Sequence, residues 1–480
     1  NFFNHFKQNQ TLKLFQTFKQ KIKNLEEFFE NELSKKFEEM IENNENFYFD
    51  SEEIEDLVIF YLEMGDTHFA ETAVNYGLKL HPNSLELKVK QLEVLLDLER
   101  YVQARQLINE LEPACSETTD YLVCCAKYFS NNGNPRKSID YCIKALELEE
   151  EENFLHNFIA DEYHNLDDPF NALKHYKLAL KHDPQDDYSL ESAMMCYQQL
   201  NRHEEAEEFA QNYINQFPFS ETAWFEMGQF YFNRKNYEKA ILAFDYLLAI
   251  NSDATGVYAN KAACYEALEQ WQKAIEVYEE QLELEYTKAF TFYRIGLCYK
   301  ADKKNLEALR AFQKSLKEDP QFYLSMMEQS DIYLEMGSNR EALHFAKEAV
   351  ALNENNLDFQ KKLAFLYIDS GRFEESLTCL KKLVEAEPKR FYNWYAYTEV
   401  LMLIGDYEDA ITVLEKALKL HKRAELYYQM SNSFLNIGEE ENGQNALAMA
   451  LELDSSIADD MEQKYPYIKD QVKKVKSKKK

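Results

Sequence analysis

The sequence predicts an all-α solenoid of about twelve helix–turn–helix repeats, on the basis of three observations. The 480 residues include only 11 glycines and 9 prolines, about a third of the usual content, which disfavours turn-rich β folds. Seven tyrosines, from Tyr163 to Tyr367, follow one another at intervals of 34 residues. Nine residues after each tyrosine comes an alanine or a serine, and two series in one register indicate an internal repeat.

The repeat frame extends outwards from these tyrosines to twelve units within residues 51–456. Each unit has a small residue at one position, where two helix backbones are expected to approach closely. This position holds Ala70, Ala104, Ser138, Ala172, Ala206, Ala240, Ala274, Ala308, Ala342, Ser376, Ala410 and Gly443. The units begin near residues 51, 85, 119, 153, 187, 221, 255, 289, 323, 357, 391 and 424.

One unit, residues 221–254, illustrates why the repeat predicts a pair of helices. Trp224, Met227 and Tyr231 recur at helical spacing, and Ala240 and Phe244 do so again after the polar stretch RKNY. Other units carry a glycine in this turn, as the end of a helix favours. The prolines are expected between helices or at unit ends, at Pro82, Pro113, Pro135, Pro169, Pro184, Pro218, Pro320 and Pro388.

These residues resemble the signature of the tetratricopeptide repeat (TPR), which reads W-x2-L-G-x2-Y, then A-x3-F and P. Trp224, Gly228 and Tyr231, followed by Ala240 and Phe244, match it at that spacing. The resemblance covers residues 51–457, weakens in the second and last units, and implies a right-handed superhelix with a concave groove. The whole pattern is similar to long cytoplasmic TPR proteins of Bacteroidetes-type bacteria.

The two ends of the chain differ from the repeats. Residues 1–50 are predicted to form an N-terminal helical segment that is basic at its start, where residues 1–24 hold five lysines and no acid. A transit peptide is an alternative for that start, although the stretch has no arginine and no serine. Residues 457–472 are predicted to form a capping helix, and residues 473–480, with six lysines, a disordered tail.

The charge of the chain restricts its partners. The whole chain carries a net charge of −31, and residues 25–472, without the eleven terminal lysines, carry −42. Such a body disfavours nucleic acid and anionic membranes, and no run of 18 apolar residues predicts a membrane span. The eight cysteines form no CxxC pair and are expected to be buried thiols in a cytoplasmic protein.

The sequence lacks the motifs of common catalytic and cofactor sites. It contains no GxSxG, GxxxxGK[ST] or GxGxxG motif, and glycine is too scarce for a loop that cradles phosphate. His156 and His164 lie eight residues apart, which is a loose spacing for joint metal ligation. We therefore expect no enzyme activity, no cofactor and no metal site.

In TPR-like solenoids the second, fifth, ninth and twelfth positions of each first helix line the groove. Across these 48 positions the sequence places twelve acids, three lysines and no arginine. A carboxylate clamp, which needs basic side chains there, is therefore not expected. The candidate groove residues are the aromatic and apolar Tyr188, Phe225, Phe232, Phe290, Tyr293, Met327, Phe365, Tyr392, Tyr395 and Tyr428, and the acidic Glu191, Glu266, Asp331 and Glu399.

An acidic groove with aromatic side chains predicts a scaffold or adaptor that binds a basic or amphipathic segment of a protein partner. An alternative is a regulatory or substrate-recruiting subunit of a multi-protein enzyme complex. A third is an acidic mimic of nucleic acid that also binds basic partners through its convex face. An individual aromatic residue can instead pack between repeats, and an individual acid can instead belong to a solvated face.

Overall fold

The computed structural model describes residues 32–148 and 153–472. Within these residues the regular secondary structure is helical and includes no strand, which confirms the predicted all-α class. The predictions for residues 1–24 and for the tail 473–480 lie outside the described residues. The described part of the N-terminal segment contains helix α1, Glu32–Glu42.

The chain divides into two compact units between Phe230 and Tyr231. The helices of the first unit after α1 are paired in sequence, each first helix being followed by a short turn and a second helix. They are α2 (Ser51–Glu63), α3 (Thr67–Leu80), α4 (Leu85–Asp97), α5 (Tyr101–Cys115), α6 (Thr119–Asn131), α7 (Pro135–Leu148), α8 (Asn153–Asn165), α9 (Pro169–His182), α10 (Asp187–Gln199), α11 (His203–Gln216) and α12 (Glu221–Asn233), within which the division falls.

The second unit continues the same alternation of first and second helices. Its helices are α13 (Tyr237–Ile250), α14 (Thr255–Ala267), α15 (Trp271–Leu284), α16 (Ala289–Ala301), α17 (Asn305–Glu318), α18 (Tyr323–Glu335), α19 (Asn339–Leu352), α20 (Leu357–Asp369), α21 (Phe373–Ala386), α22 (Phe391–Leu403), α23 (Tyr407–Leu420), α24 (Ala424–Asn436), α25 (Glu440–Leu453) and α26 (Ala458–Lys464). The helix–turn–helix prediction is confirmed in both units.

Side-chain caps fix where several helices begin. Asp50 accepts a hydrogen bond from the backbone N–H of Glu53 at 2.8 Å, and the Glu53 carboxylate accepts one from the Asp50 N–H at 2.9 Å. This reciprocal pair satisfies two backbone donors that the first turn of α2 leaves without helical partners. Asp66, Asp168 and Asp406 cap second helices with a single bond of the same kind.

The turn inside each helix pair passes through one residue in the left-handed backbone conformation. Six pairs place a glycine there, with φ between 69° and 87°. The other six place Glu99, Asp167, Asn201, Lys235, Glu269 or Lys303 there, with φ between 55° and 60°. A residue with a side chain is less stable in this conformation than glycine by about 1 kcal/mol. Because six helix pairs tolerate this cost, the packing of the two helices, and not glycine alone, determines the conformation of the turn.

Close packing of the paired helices explains the small residue in each repeat. All twelve of these residues are buried. Gly296 shows the same restriction on a first helix, because a Cβ atom there would lie only 2.4 Å from Cε1 of the buried Phe312 ring. Contact distances between carbon atoms are about 3.5–4.0 Å, so the ring occupies space that a larger residue at position 296 needs.

Pro113 is an exception to the predicted placement of the prolines. It lies in the last turn of α5, two residues before the helix ends at Cys115, and not after the helix. The structure therefore places Pro113 inside a helix, in its last turn, where the sequence predicted a position between helices or at a unit end. Leu111 and Cys115 are buried on the two sides of the proline, and their packing keeps the last turn helical although Pro113 donates no backbone hydrogen bond.

The segment after α25 is helical but is not one continuous helix. Helix α26 ends at Lys464, and a 3₁₀ turn follows at Pro466–Ile468. Pro466 has no N–H group to continue the α-helical ladder, which accounts for the break. Tyr465, Ile468 and Val472 are buried in one apolar cluster with side chains of the last helix pair.

Candidate peptide-binding surface

The predicted groove positions share one face of each first helix. At 100° per residue, positions 2, 5, 9 and 12 lie within about a quarter of a turn of one another; we call this the first-helix face. Four of the predicted aromatic side chains on it are well exposed, namely Tyr188 in the first unit and Phe290, Phe365 and Tyr392 in the second, with Tyr392 at 72%. These four are placed where a ligand can reach them.

Two predicted groove residues belong to the core instead. Met327 is 2% exposed and Tyr428 is 0% exposed, so neither offers surface to a ligand. Met327 packs with Ala342 and Leu343 of the following helix. Tyr428 packs in the cluster that includes Tyr465 from the C-terminal segment. Burial against the next element, which the residue type alone does not reveal, removes both from the candidate surface.

The remaining predicted aromatic residues are half-buried between neighbouring side chains. These are Phe225 in the first unit and Phe232, Tyr293 and Tyr395 in the second. Tyr293 illustrates the arrangement, because its ring lies 6.0 Å from the Phe312 ring and 5.5 Å from the Phe322 ring. Such residues shape the face but present only part of their ring to a ligand.

Two of the predicted acids in the second unit are paired with cations from neighbouring repeats. Glu266 lies 2.5 Å from Nη2 of Arg294 and accepts a hydrogen bond from the Tyr278 hydroxyl at 2.8 Å. Asp331 lies 2.7 Å from Lys362 and 3.5 Å from Lys300. These carboxylates therefore stabilise contacts between successive repeats, and a basic ligand has to compete for them.

Glu399 in the second unit has partners from three places in the chain. Its Oε2 atom accepts hydrogen bonds from Gln429 Nε2 at 2.9 Å and from the Tyr465 hydroxyl at 2.6 Å, and Lys464 Nζ lies 3.1 Å away. Lys464 also donates to the Tyr395 hydroxyl at 2.7 Å. Gln429, Lys464 and Tyr465 were not among the predicted groove residues, because the prediction used only fixed positions of the first helices.

The first unit contains an acid-lined cavity of about 470 Å³ between residues of its first helices and the end of α5. Its lining includes Glu55, Glu86 and Asp120, with Lys90 as a basic side chain. Burial and then the charge of Glu86 raise the pKa of Glu55 above its ordinary value. Burial is the main cause of this shift, and Lys90, which lowers the pKa of Glu55, partly offsets the charge of Glu86.

A second acidic contact in the first unit involves the predicted residue Glu191. Burial and the nearby charge of Glu191 raise the pKa of the Glu226 carboxyl to about 7. Tyr188, in the same first helix as Glu191, donates a hydrogen bond to Asp161 at 2.6 Å, which holds its ring on the face. The first unit thus combines an exposed aromatic ring with carboxylates that favour an approaching cation.

In the structure His156 lies beside His175 and His182, and not beside His164, with which the sequence spacing associated it. Nδ1 of His156 lies 3.2 Å from Nδ1 of His175, and its ring stacks on His182 at 5.5 Å. Burial, followed by the charges of His156 and Lys174, lowers the pKa of His175 to about 4. In the described ranges no group of three or more His, Cys, Asp or Glu side chains is arranged to hold a metal ion.

Family profiles described as tetratricopeptide repeat match residues 197–255, 257–290, 290–321 and 333–398. The chain is a tetratricopeptide-repeat protein. Proteins built from TPR units generally present extended surfaces for protein–protein interaction rather than catalytic sites. All eight cysteines of this TPR chain are buried thiols, and among the described helices none is long and apolar enough to cross a membrane.

The known proteins that are similar to this TPR chain include the following three. Sperm-associated antigen 1 of Homo sapiens is 28% identical over 123 residues, which cover 26% of this chain and only 13% of that protein. The TPR repeat-containing protein YpiA of Bacillus subtilis (strain 168) is 22% identical over 377 residues, covering 69% of this chain and 87% of that protein. A crystal structure of the C-terminal part of a Cytophaga hutchinsonii TPR repeat-containing protein is 16% identical, with a TM-score of 0.40 over 48% of this chain and 96% of that one.

Proposed function

We propose that this TPR chain is a non-catalytic scaffold that binds basic or amphipathic segments of protein partners on its first-helix face. The observation that carries the proposal is the exposure of Phe290, Phe365 and Tyr392 in the second unit. Exposed aromatic side chains are frequent anchors in protein interfaces, because they bury a large apolar area with little loss of side-chain entropy. Tyr188 offers an anchor of the same kind in the first unit.

Electrostatics supports a basic partner. The cavity lined by Glu55, Glu86 and Asp120 contains more acid than base, and a lysine or arginine of a partner reduces the repulsion between its carboxylates. Long-range attraction to an acidic body also accelerates encounter with a basic segment. The negative potential of the chain repels an acidic segment, so the binding of such a segment is disfavoured.

The proposal is tested with the full chain and a library of synthetic peptides that spans acidic to basic net charge, with and without aromatic residues. We expect the chain to enrich basic peptides that contain aromatic residues. A variant with Phe290→Ala, Phe365→Ala and Tyr392→Ala should bind the enriched peptides at least about tenfold more weakly, since each anchor of this kind contributes roughly 1 kcal/mol or more.

A matched control removes the same number of exposed apolar side chains from second helices of the same unit. Leu306→Ala, Leu420→Ala and Met449→Ala fulfil this purpose because all three side chains are well exposed. The control should retain the peptide affinity of the wild type, and both variants should retain its helical circular dichroism. Equal enrichment of acidic and basic peptides, or equal loss of affinity in both variants, contradicts the proposal.

A further inference from the structure

The C-terminal segment, residues 458–472, extends further along the second unit than its capping role requires. A segment that only closes the apolar end of the array needs contacts with the last helix pair, α24 and α25. Lys464 and Tyr465 instead reach Tyr395 and Glu399 in α22, the first helix of the preceding pair, 66 to 69 residues away in sequence. Tyr395 and Glu399 are the fifth and ninth residues of α22, so these contacts lie on the first-helix face.

The residues that receive Lys464 and Tyr465 form a small polar pocket, which we call the Glu399 pocket: Tyr395, Thr398, Glu399 and Gln429. Gln429 is fully buried, and its amide donates to the Tyr395 carbonyl at 3.2 Å and to the Glu399 carboxylate at 2.9 Å. Its Oε1 atom accepts a hydrogen bond from Thr398 at 2.7 Å. The carboxylate is therefore held in a fixed orientation by groups other than its ligands.

The pocket fits a lysine closely. Lys464 Nζ lies 4.8 Å from the centre of the Tyr395 ring, 2.7 Å from its hydroxyl and 3.1 Å from the Glu399 carboxylate. A phenol hydroxyl acceptor and a carboxylate together suit an ammonium group, which donates three hydrogen bonds. The pocket also takes the next residue, because the buried Tyr465 donates its hydroxyl hydrogen to the same carboxylate at 2.6 Å.

The Glu399 pocket recognises Lys464 and Tyr465 through local contacts and not through the charge of the whole C-terminal segment. The segment also contains Asp459, Asp460 and Glu462 ahead of the pair, so it is not basic overall. Further along, the segment is anchored by Ile468 and Val472, which are buried in an apolar cluster with side chains of the last two helix pairs. The Lys464 side chain itself is 39% exposed, so solvent, and a competing side chain, can reach the ion pair.

We propose that the Glu399 pocket is a recognition site for a lysine followed by a tyrosine in a protein partner, and that Lys464 and Tyr465 occupy this site in cis. The inference rests on the proposed function, because it assigns a ligand chemistry to one part of the same face. A tethered segment acts at an effective concentration on the order of millimolar. A partner therefore binds the pocket only by displacing the chain's own segment, and the intact chain binds more weakly than its pocket alone allows.

The test uses full-length chains and a fluorescein-labelled synthetic peptide with the sequence of residues 457–472, with binding measured by fluorescence anisotropy. Lys464→Ala and Glu399→Gln remove the same ion pair, yet they should affect this probe differently. Lys464→Ala weakens only the binding of the cis segment, so we expect the peptide to bind this chain about tenfold more tightly than the wild type, as loss of one ion pair and one charge-assisted hydrogen bond implies. Glu399→Gln weakens the binding of the cis segment and of the added peptide alike, so we expect no gain in peptide affinity.

Two controls accompany these variants. Lys469→Ala alters an exposed lysine of the same segment and should bind the peptide as the wild type does. A second peptide, with alanine and phenylalanine in place of the residues that correspond to Lys464 and Tyr465, should lose the gain on the Lys464→Ala chain. Circular dichroism verifies that every chain retains its helical content.

Four results overturn the inference. They are no gain in peptide affinity with Lys464→Ala, an equal gain with Glu399→Gln, equal binding of the two peptides, and absence of peptide binding to every chain. A gain in both ion-pair variants would mean that the pair only stabilises the cap. If the Glu399 pocket fails while the library peptides still depend on Phe290, Phe365 and Tyr392, the proposed function stands without this pocket; if both fail, the proposed function fails too.

Discussion

Gly296 and Gly256 allow one substitution, glycine to alanine, to be made at two helix positions with opposite expected effects. A Cβ atom at Gly296 in α16 would lie 2.4, 2.7 and 2.8 Å from three atoms of the Phe312 ring, whereas nothing lies within 4 Å of a Cβ atom at Gly256 in α14. The overlap at Gly296 is about 1 Å relative to ordinary carbon contacts. Phe312 is fully buried and packs against Tyr293, so the ring cannot move aside without disturbing its neighbours.

The expected magnitudes follow from two opposing effects. Alanine favours a helix over glycine by up to about 1 kcal/mol, so Gly256→Ala should raise the free energy of unfolding by roughly 0.5–1 kcal/mol. At Gly296 the same gain is opposed by overpacking, which costs about 1–3 kcal/mol. The Gly296→Ala chain should therefore be less stable than the Gly256→Ala chain by about 1–3 kcal/mol.

The assay is guanidinium unfolding followed by circular dichroism, combined with amide hydrogen exchange in α16 and α17, because repeat arrays need not unfold as one cooperative unit. A third chain with Phe312→Leu removes the edge of the ring. In that background Gly296→Ala should become neutral or stabilising, which a double-mutant cycle measures as a coupling free energy. Equal stabilisation by Gly256→Ala and Gly296→Ala, or no coupling with Phe312, would show that the Phe312 ring does not restrict position 296.

Three further predictions concern stability. Lys303→Gly should stabilise the chain by about 1 kcal/mol, because Lys303 has φ of 60° and glycine adopts this conformation without strain; a lower denaturation midpoint would contradict it. Tyr428→Phe should leave the free energy of unfolding unchanged or raise it by up to about 1 kcal/mol, since the buried hydroxyl has no hydrogen-bond partner among the described residues. The stability that depends on His156 and His175 should be full above about pH 6.5 and fall towards about pH 4, because the folded chain has lowered pKa values for these two histidines and the unfolded chain takes up protons first. Thermal melts across this pH range check the slope, which His175→Asn should flatten.

Most of the helical architecture could be predicted because the signals are local and repeated. Apolar residues at helical spacing, a small residue at each close contact and breakers between helices specify the pairs without knowledge of distant contacts. Pro113 and Lys303 show where this fails. Packing holds Pro113 inside a helix and Lys303 in a left-handed turn, and tertiary packing overrides local preference at such positions.

The candidate surface could be predicted only in part, because its residues depend on contacts between repeats. Glu266–Arg294 and Asp331–Lys362 join residues 28 and 31 positions apart. A search for opposite charges about one repeat apart would have identified these pairs. The contact of Lys464 with Tyr395 spans 69 residues and follows no period, so the repeat pattern contains no signal for it.

The pairing of acids also distinguishes what each unit offers to a basic partner. In the second unit a lysine or arginine of the chain already neutralises Glu266 and Asp331, so an incoming cation gains only the difference between two similar ion pairs. In the first unit Lys90 and Lys127 pair with Glu93 in the same way, whereas burial and then the charge of Glu86 raise the pKa of Glu55, so an incoming cation relieves repulsion at Glu55. We therefore expect the preference for positive charge to arise mainly in the first unit, and to weaken with added salt because exposed charges are screened. In the second unit the exposed aromatic side chains, rather than net charge, should determine which segment binds.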